Sequence, residues 1–127
     1  MTPEEVRTLI SQGEGQRLEL KRSLAELETG MRAAAAMANT DGGHVLFGVR
    51  DDGTALGVQI GAQTRERVVQ AITDNTDPTL YPSVEYVEMD GRTVIAVTVT
   101  RSDNRPHLVR GRAYRRVGAA DVQMSRA

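Results

Sequence analysis

Apolar and polar positions along the chain recur with two periods, and the switches between them mark the elements. Thr2-Pro3-Glu4-Glu5 has the form of a capping box, with Thr as N-cap, Pro at the first helical position and Glu three residues on. Val6, Leu9 and Ile10 then give one helical face, and Gly13 is placed to stop it. Arg17-Leu18-Glu19-Leu20-Lys21 alternates with period two. It predicts a short strand with Leu18 and Leu20 inward and Glu19 and Lys21 on the opposite, non-core face. Leu24 to Ala38 predicts a helix that runs through Gly30, its Ala33–Ala38 stretch suited to close packing on a sheet. It should end near Asn39, where Asp41-Gly42-Gly43 makes a turn.

His44 to Val49 reads as a buried strand, Asp51-Asp52-Gly53 as a hairpin turn, and Ala55 to Val58 as the returning strand. Val68, Val69 and Ile72 place a helix over Thr64 to Thr73, closed by Asp77-Pro78. Val84–Met89 and Arg92–Thr100 form the clearest hairpin, joined at Asp90-Gly91. Two short extended pieces follow, around His107–Val109 and Ala113–Val117. Helices and strands interleave while the hairpins demand antiparallel pairing. The expected class is α+β: a single compact domain over residues 1–127, with a mixed, largely antiparallel sheet and about three helices.

Composition narrows the chemistry. The 127 residues contain no Cys, which excludes a disulfide scaffold, a zinc-thiolate site and a cysteine nucleophile. No apolar run approaches the roughly 20 residues of a membrane helix, and no signal pattern opens the chain, so a cytoplasmic protein without membrane contact is expected. With three Tyr, one Phe and no Trp, binding that stacks bases on several aromatic platforms is disfavoured. His44 and His107 stand isolated, giving little support to a histidine metal site or triad. The net charge of −1 hides an uneven distribution. Residues 101–127 hold seven Arg against two Asp, beside an acidic stretch from 51 to 100 with eight acids and three Arg. The basic tail is either a solvated charge run or an anion-binding surface.

Four constellations carry candidate chemistry. Glu14, Glu19 and Lys21 form a set familiar from phosphodiester cleavage. There, carboxylates hold a divalent cation that polarises phosphate and activates water, while Lys stabilises developing charge. An exposed Glu–Lys strand pair is the commoner reading of such a stretch. Asn39-Thr40-Asp41-Gly42-Gly43 offers backbone N–H groups to a phosphate, although helix capping accounts for the same residues and no Gly-Lys-Ser/Thr follows. Asp51-Asp52-Gly53 needs one Asp for its turn, so the other is free to complete a three-carboxylate site with Glu14 and Glu19. Arg110, Arg112, Arg115 and Arg116 flank Tyr114, a pattern that either neutralises phosphates or defends an edge strand.

The order of these motifs resembles the Schlafen AlbA-like domain, found in bacterial transcriptional regulators and animal Schlafen proteins. The resemblance rests on Glu14-x4-Glu19-Leu20-Lys21-Arg22-Ser23-Leu24, Ala36-Met37-Ala38-Asn39-Thr40-Asp41-Gly42-Gly43 and Leu46-Phe47-Gly48-Val49-Arg50-Asp51-Asp52-Gly53 with Leu56-Gly57-Val58. Pro106 and Tyr114-Arg115-Arg116-Val117-Gly118 complete it, so it covers about residues 14–121. It implies a nucleic-acid-binding α+β domain; many members carry an ATP-binding label. In some Schlafens three carboxylates make a metal-dependent endoribonuclease acting on transfer and ribosomal RNA. Glu14 and Glu19 match two of those positions by spacing, with Asp51 the better third and Asp52 the alternative. Two departures stand out: Leu20 replaces the usual Phe, and Ala119-Ala120 replace small hydroxylated residues. No winged-helix or ATPase-like segment follows, so a stand-alone module or an excised fragment is expected. Active Schlafens use two lobes around a basic channel, which implies a homodimer for a single copy.

The leading expectation is therefore RNA binding, tRNA or rRNA ahead of duplex DNA, through Lys21, Arg110, Arg112, Tyr114, Arg115 and Arg116. The alternatives are a Mg2+- or Mn2+-dependent endoribonuclease on Glu14, Glu19 and Asp51, assisted by Lys21, and a nucleotide-sensing regulatory module built on the Asn39–Gly43 loop.

Overall fold

The computed structural model describes residues 1–125. In chain order the elements are α1 (Pro3–Gln12), β1 (Leu18–Lys21), a 3-10 turn (Leu24–Glu26), α2 (Leu27–Ala38), β2 (Gly43–Phe47) and α3 (Thr64–Asp74). There follow β3 (Thr76–Asp77), β4 (Ser83–Met89), β5 (Arg92–Val99), β6 (Leu108–Val109), β7 (Arg112–Val117) and β8 (Ala120–Gln123). Among the described residues there are thus three α-helices and eight strands, in one α+β domain. None of those helices is long and apolar enough to cross a membrane.

The strands make two sheets rather than one. The main sheet has the order β1-β2-β5-β4, with β1 parallel to β2 and the other pairs antiparallel. Alternation sends Leu18, Leu20, Leu46, Val94 and Ala96 to one face, where they enclose Val6 of α1. Val45, Phe47, Ile95, Val97 and Val99 leave from the other face and pack on α2 and α3. The tail strands form a second sheet, β3-β6-β7-β8, on the far side of α2. A helix clamped between two sheets must be apolar and slim all round, which is what Ala33–Ala38 supplies. Gly30 is part of that fit, because a Cβ there would sit 2.4 Å from Cζ of Phe47.

Thr2 caps α1 as its sequence predicts, its Oγ1 accepting from Glu5 N at 3.1 Å. The β4–β5 hairpin turns at Asp90 (φ 54°) and Gly91 (φ 80°), and β6–β7 turns likewise at Arg110 (φ 51°) and Gly111 (φ 78°). The expected returning strand at Ala55–Val58 does not form. β2 already has β1 on one side and β5 on the other, so no edge remains for a hairpin partner. The segment makes the isolated bridge Val49↔Ala55, Leu56 and Gly57 donate their N–H groups to Gly48 O, and Val58 N donates to Thr93 O of β5 at 2.7 Å.

Candidate functional site

β1 is an edge strand of the main sheet, and its open side is closed by side chains. Gly15 and Leu18 bridge in a tight loop that brings Glu14 back over the strand. Glu14 Oε2 accepts the Leu20 N–H at 2.9 Å. From the other direction comes Arg116 of β7, whose side chain is fully buried. Its Nε and Nη2 donate to Gly15 O at 3.1 and 2.9 Å, and Nη2 also to Leu18 O at 3.0 Å. The same guanidinium pairs with Glu19 Oε1 at 2.7 Å and Asp121 Oδ1 at 2.8 Å. Glu19 in turn holds Lys21 Nζ at 3.3 Å. A charge removed from water needs partners of this kind, and Arg116 has two carboxylates and two carbonyls.

The expected exposed face for Glu19 and Lys21 is accordingly corrected. Their register partners Val45 and Phe47 point at α2, so Glu19 and Lys21 face the same way, and the β7–β8 hairpin covers them. Only 13% of the Glu19 side chain and 14% of the Lys21 side chain remain accessible.

Glu14 and Glu19 do converge, close enough to share a hydrogen bond. Partial burial pushes the Glu14 carboxyl above the usual range against the opposing bond from Leu20 N, and the neighbouring charges of Glu19 and Asp51 push it further. Burial also works on Glu19, but the bonds from Glu14 and Arg116 and the charges of Arg116 and Lys21 outweigh it and hold Glu19 low. Asp51 sits on the exposed turn, near enough for its charge to act on Glu14, and lines a shallow recess of about 310 Å3 with Arg22, Arg50 and Asp52. Asp52 caps its own turn by accepting Thr54 N at 2.9 Å, a bond that lowers its pKa.

These residues do not fit a divalent cation as they stand. Glu19 is engaged by two cations, and Glu14 Oε2 by a backbone N–H. Among the described residues no group of three or more His, Cys, Asp or Glu is arranged to hold a metal.

The Asn39–Gly43 loop is a joint of the fold. Asn39 Nδ2 donates to His107 O at 3.1 Å and Tyr114 O at 2.9 Å, and its Oδ1 accepts His107 N at 2.8 Å. Thr40 Oγ1 accepts Arg116 N at 2.9 Å, and Asp41 accepts from Gln16 Nε2 at 3.2 Å. The N–H groups of Thr40 and Gly42 both go to Met37 O, at 3.0 and 2.7 Å, and are not offered to an anion. Gly42 and Gly43 are buried against backbone, with virtual Cβ positions 2.8 Å from Val99 O and 2.6 Å from Arg17 O.

The basic segment divides. Arg116 is buried and so drops out as a phosphate contact. Tyr114 is corrected too: its half-buried ring packs against the α2 core with Arg32 Cζ 5.5 Å from its centroid, so it offers no outer stacking platform. Arg110 is exposed and forms a bidentate pair with Glu28, Nε–Oε1 at 2.6 Å and Nη2–Oε2 at 3.0 Å. Arg112 and Arg115 are exposed and form no ion pair among the described residues. Sequence reasoning missed two partners, Arg32 and Asp121. Asp121 was signalled by its place opposite Arg116, across a turn centred on Gly118.

The comparisons agree with this architecture. The family profile described as Schlafen, AlbA_2 matches residues 14–125. A search of curated proteins returns no match. Among solved structures, the DIP2311 protein of Corynebacterium diphtheriae superposes with a TM-score of 0.74 at 20% identity. That match covers 97% of this chain but 26% of the Corynebacterium chain. The N-terminal domain of a RecG-related protein from Nitrosomonas europaea gives 0.70 at 21% identity, covering 100% of this chain and 94% of that domain. At such identities these two show a shared fold alone. With the family profile spanning nearly all of the chain, this protein belongs to the Schlafen AlbA_2 family.

Proposed function

We propose that the domain binds nucleic acid, RNA in preference to duplex DNA, through phosphate contacts of the β6–β7 region. The observation that carries this reading is the set of arginines left over after internal pairing. Arg116 is consumed inside, while Arg112 and Arg115 are exposed with no acidic partner among the described residues. Arg110 adds to them, because its pair with Glu28 is solvent-exposed, contributes little, and exchanges readily for a phosphate. Such contacts bind backbone rather than sequence and weaken steeply with salt. The preference for RNA follows from the Schlafen resemblance, whose nuclease members act on transfer and ribosomal RNA. Exposed Val117, Val122 and Met124 near the same segment support a second copy as partner.

The test is fluorescence anisotropy with a short RNA, a matched single-stranded DNA and a duplex. Binding strongest to RNA and weakened in Arg112→Ala and Arg115→Ala is expected; no binding to any of the three refutes the reading. The nuclease alternative draws on the meeting of Glu14 and Glu19, but Glu19 is already engaged by Arg116 and Lys21. Intact tRNA after incubation with Mg2+ or Mn2+ is therefore expected.

A further inference from the structure

Two of these arginines, Arg110 and Arg112, share with Arg32 a recess of about 330 Å3 at the start of α2, lined also by Glu28, Val109 and Tyr114. Arg32 is the unusual member. Its guanidinium makes no hydrogen bond among the described residues, although its Nε is sealed from solvent. It is held by the Tyr114 ring, 5.5 Å away, and by Asp121 Oδ2 at 3.7 Å, beyond hydrogen-bond reach and on a carboxylate already shared with Arg116. The side chain as a whole is 43% accessible and lines the recess, so its terminal N–H groups are open to a ligand. Around it stand Arg112, without an ion pair among the described residues, and Arg110, held only by Glu28.

The sum of charge around the recess selects the ligand. Three arginines against one glutamate leave a net charge of +2 on the lining residues. An internal phosphodiester carries one negative charge, whereas a phosphomonoester carries about −1.5 to −2 near neutral pH. A recess also admits a chain end more readily than a link in mid-chain.

We propose that this recess is a site for the terminal phosphate of a nucleic-acid strand, with Arg32, Arg110 and Arg112 as its donors and Glu28 as an anion that keeps Arg110 in place until phosphate displaces it. The proposal rests on the nucleic-acid reading above and adds to it the part of the strand that is recognised. Arg110 swings from one bidentate acceptor to another, a geometry for which guanidinium is suited. Arg32 already lies over the Tyr114 ring at the recess wall.

The test compares one internally labelled single strand in three forms: 5′-phosphorylated, 3′-phosphorylated and hydroxyl at both ends. The wild type should bind one phosphorylated form about tenfold more tightly than the hydroxyl form, the scale of one charge-assisted contact set. Arg32→Gln and the exposed Arg112→Gln should each bring that ratio close to one, and Glu28→Gln should raise it. The Arg112 variant keeps the test valid should the Arg32 variant fold poorly. Equal affinities for all three forms would overturn the terminal-phosphate site while leaving nucleic-acid binding intact. Absence of binding to every form would overturn both. A preference that survives in Arg32→Gln and Arg112→Gln would overturn the assignment to this recess.

Discussion

Arg115 and Arg116 are neighbours on one strand and have opposite fates. Arg116 points from the second sheet toward β1, loses all contact with water and ties two sheets together through Glu19, Asp121 and the carbonyls of Gly15 and Leu18. Arg115 projects to the outside and meets no acid among the described residues. Strand alternation alone separates them. One arginine belongs to the fold and the other is available for a partner, so a basic run in sequence is not yet a basic surface.

The contrast can be tested by breaking each side of it. Arg116→Met carries the largest expected effect, about 3–5 kcal/mol of lost stability in denaturant unfolding, because Glu19 and Asp121 would be left without their buried cation. Arg116→Lys should rescue little, since an ammonium cannot serve two carboxylates and two carbonyls in the same plane. Asn39→Ala, which removes the three hydrogen bonds joining α2 to the second sheet, should cost about 1–3 kcal/mol.

Acidity offers a gentler probe of the inner side. The folded protein holds Glu19 below its ordinary range, so the unfolded chain binds its proton first. The stability Glu19 contributes is complete above the ordinary glutamate value of about 4.3 and is lost as pH falls through the lower folded value. Unfolding midpoints measured from pH 6 to pH 3 should fall, and Glu19→Gln should flatten that part of the decline. The smallest expected effect lies outside. Arg115→Ala should leave stability within about 0.5 kcal/mol, while it weakens RNA binding.

Much of the frame was legible in the sequence because local chemistry dictated it. Thr2 and Pro3 begin α1, Asp90-Gly91 turns β4 into β5, and the Leu18/Leu20 alternation sets the face of β1 toward α1. What escaped depends on residues distant along the chain. Ala55–Val58 has the composition of a strand, but both edges of β2 were already taken. Glu19 and Lys21 have the pattern of an exposed pair until a hairpin about a hundred residues later covers them. The place of Glu14 just before β1 allowed its approach to Glu19 without requiring it, and the role of Arg116 in occupying Glu19 left no local signal. Gly30 looks like a flaw in a helix until the Phe47 ring is placed against it.

The most direct measurement of the central claim is the salt dependence of RNA affinity in the wild type, Arg115→Ala and the Arg112→Ala/Arg115→Ala double variant. Removing one arginine–phosphate interaction with a single strand should reduce the slope of log K against log salt by about 0.7. The account predicts a slope shallower by about 0.7 in the single variant and about 1.4 in the double, with unfolding midpoints unchanged. Slopes identical to wild type in both variants would contradict it.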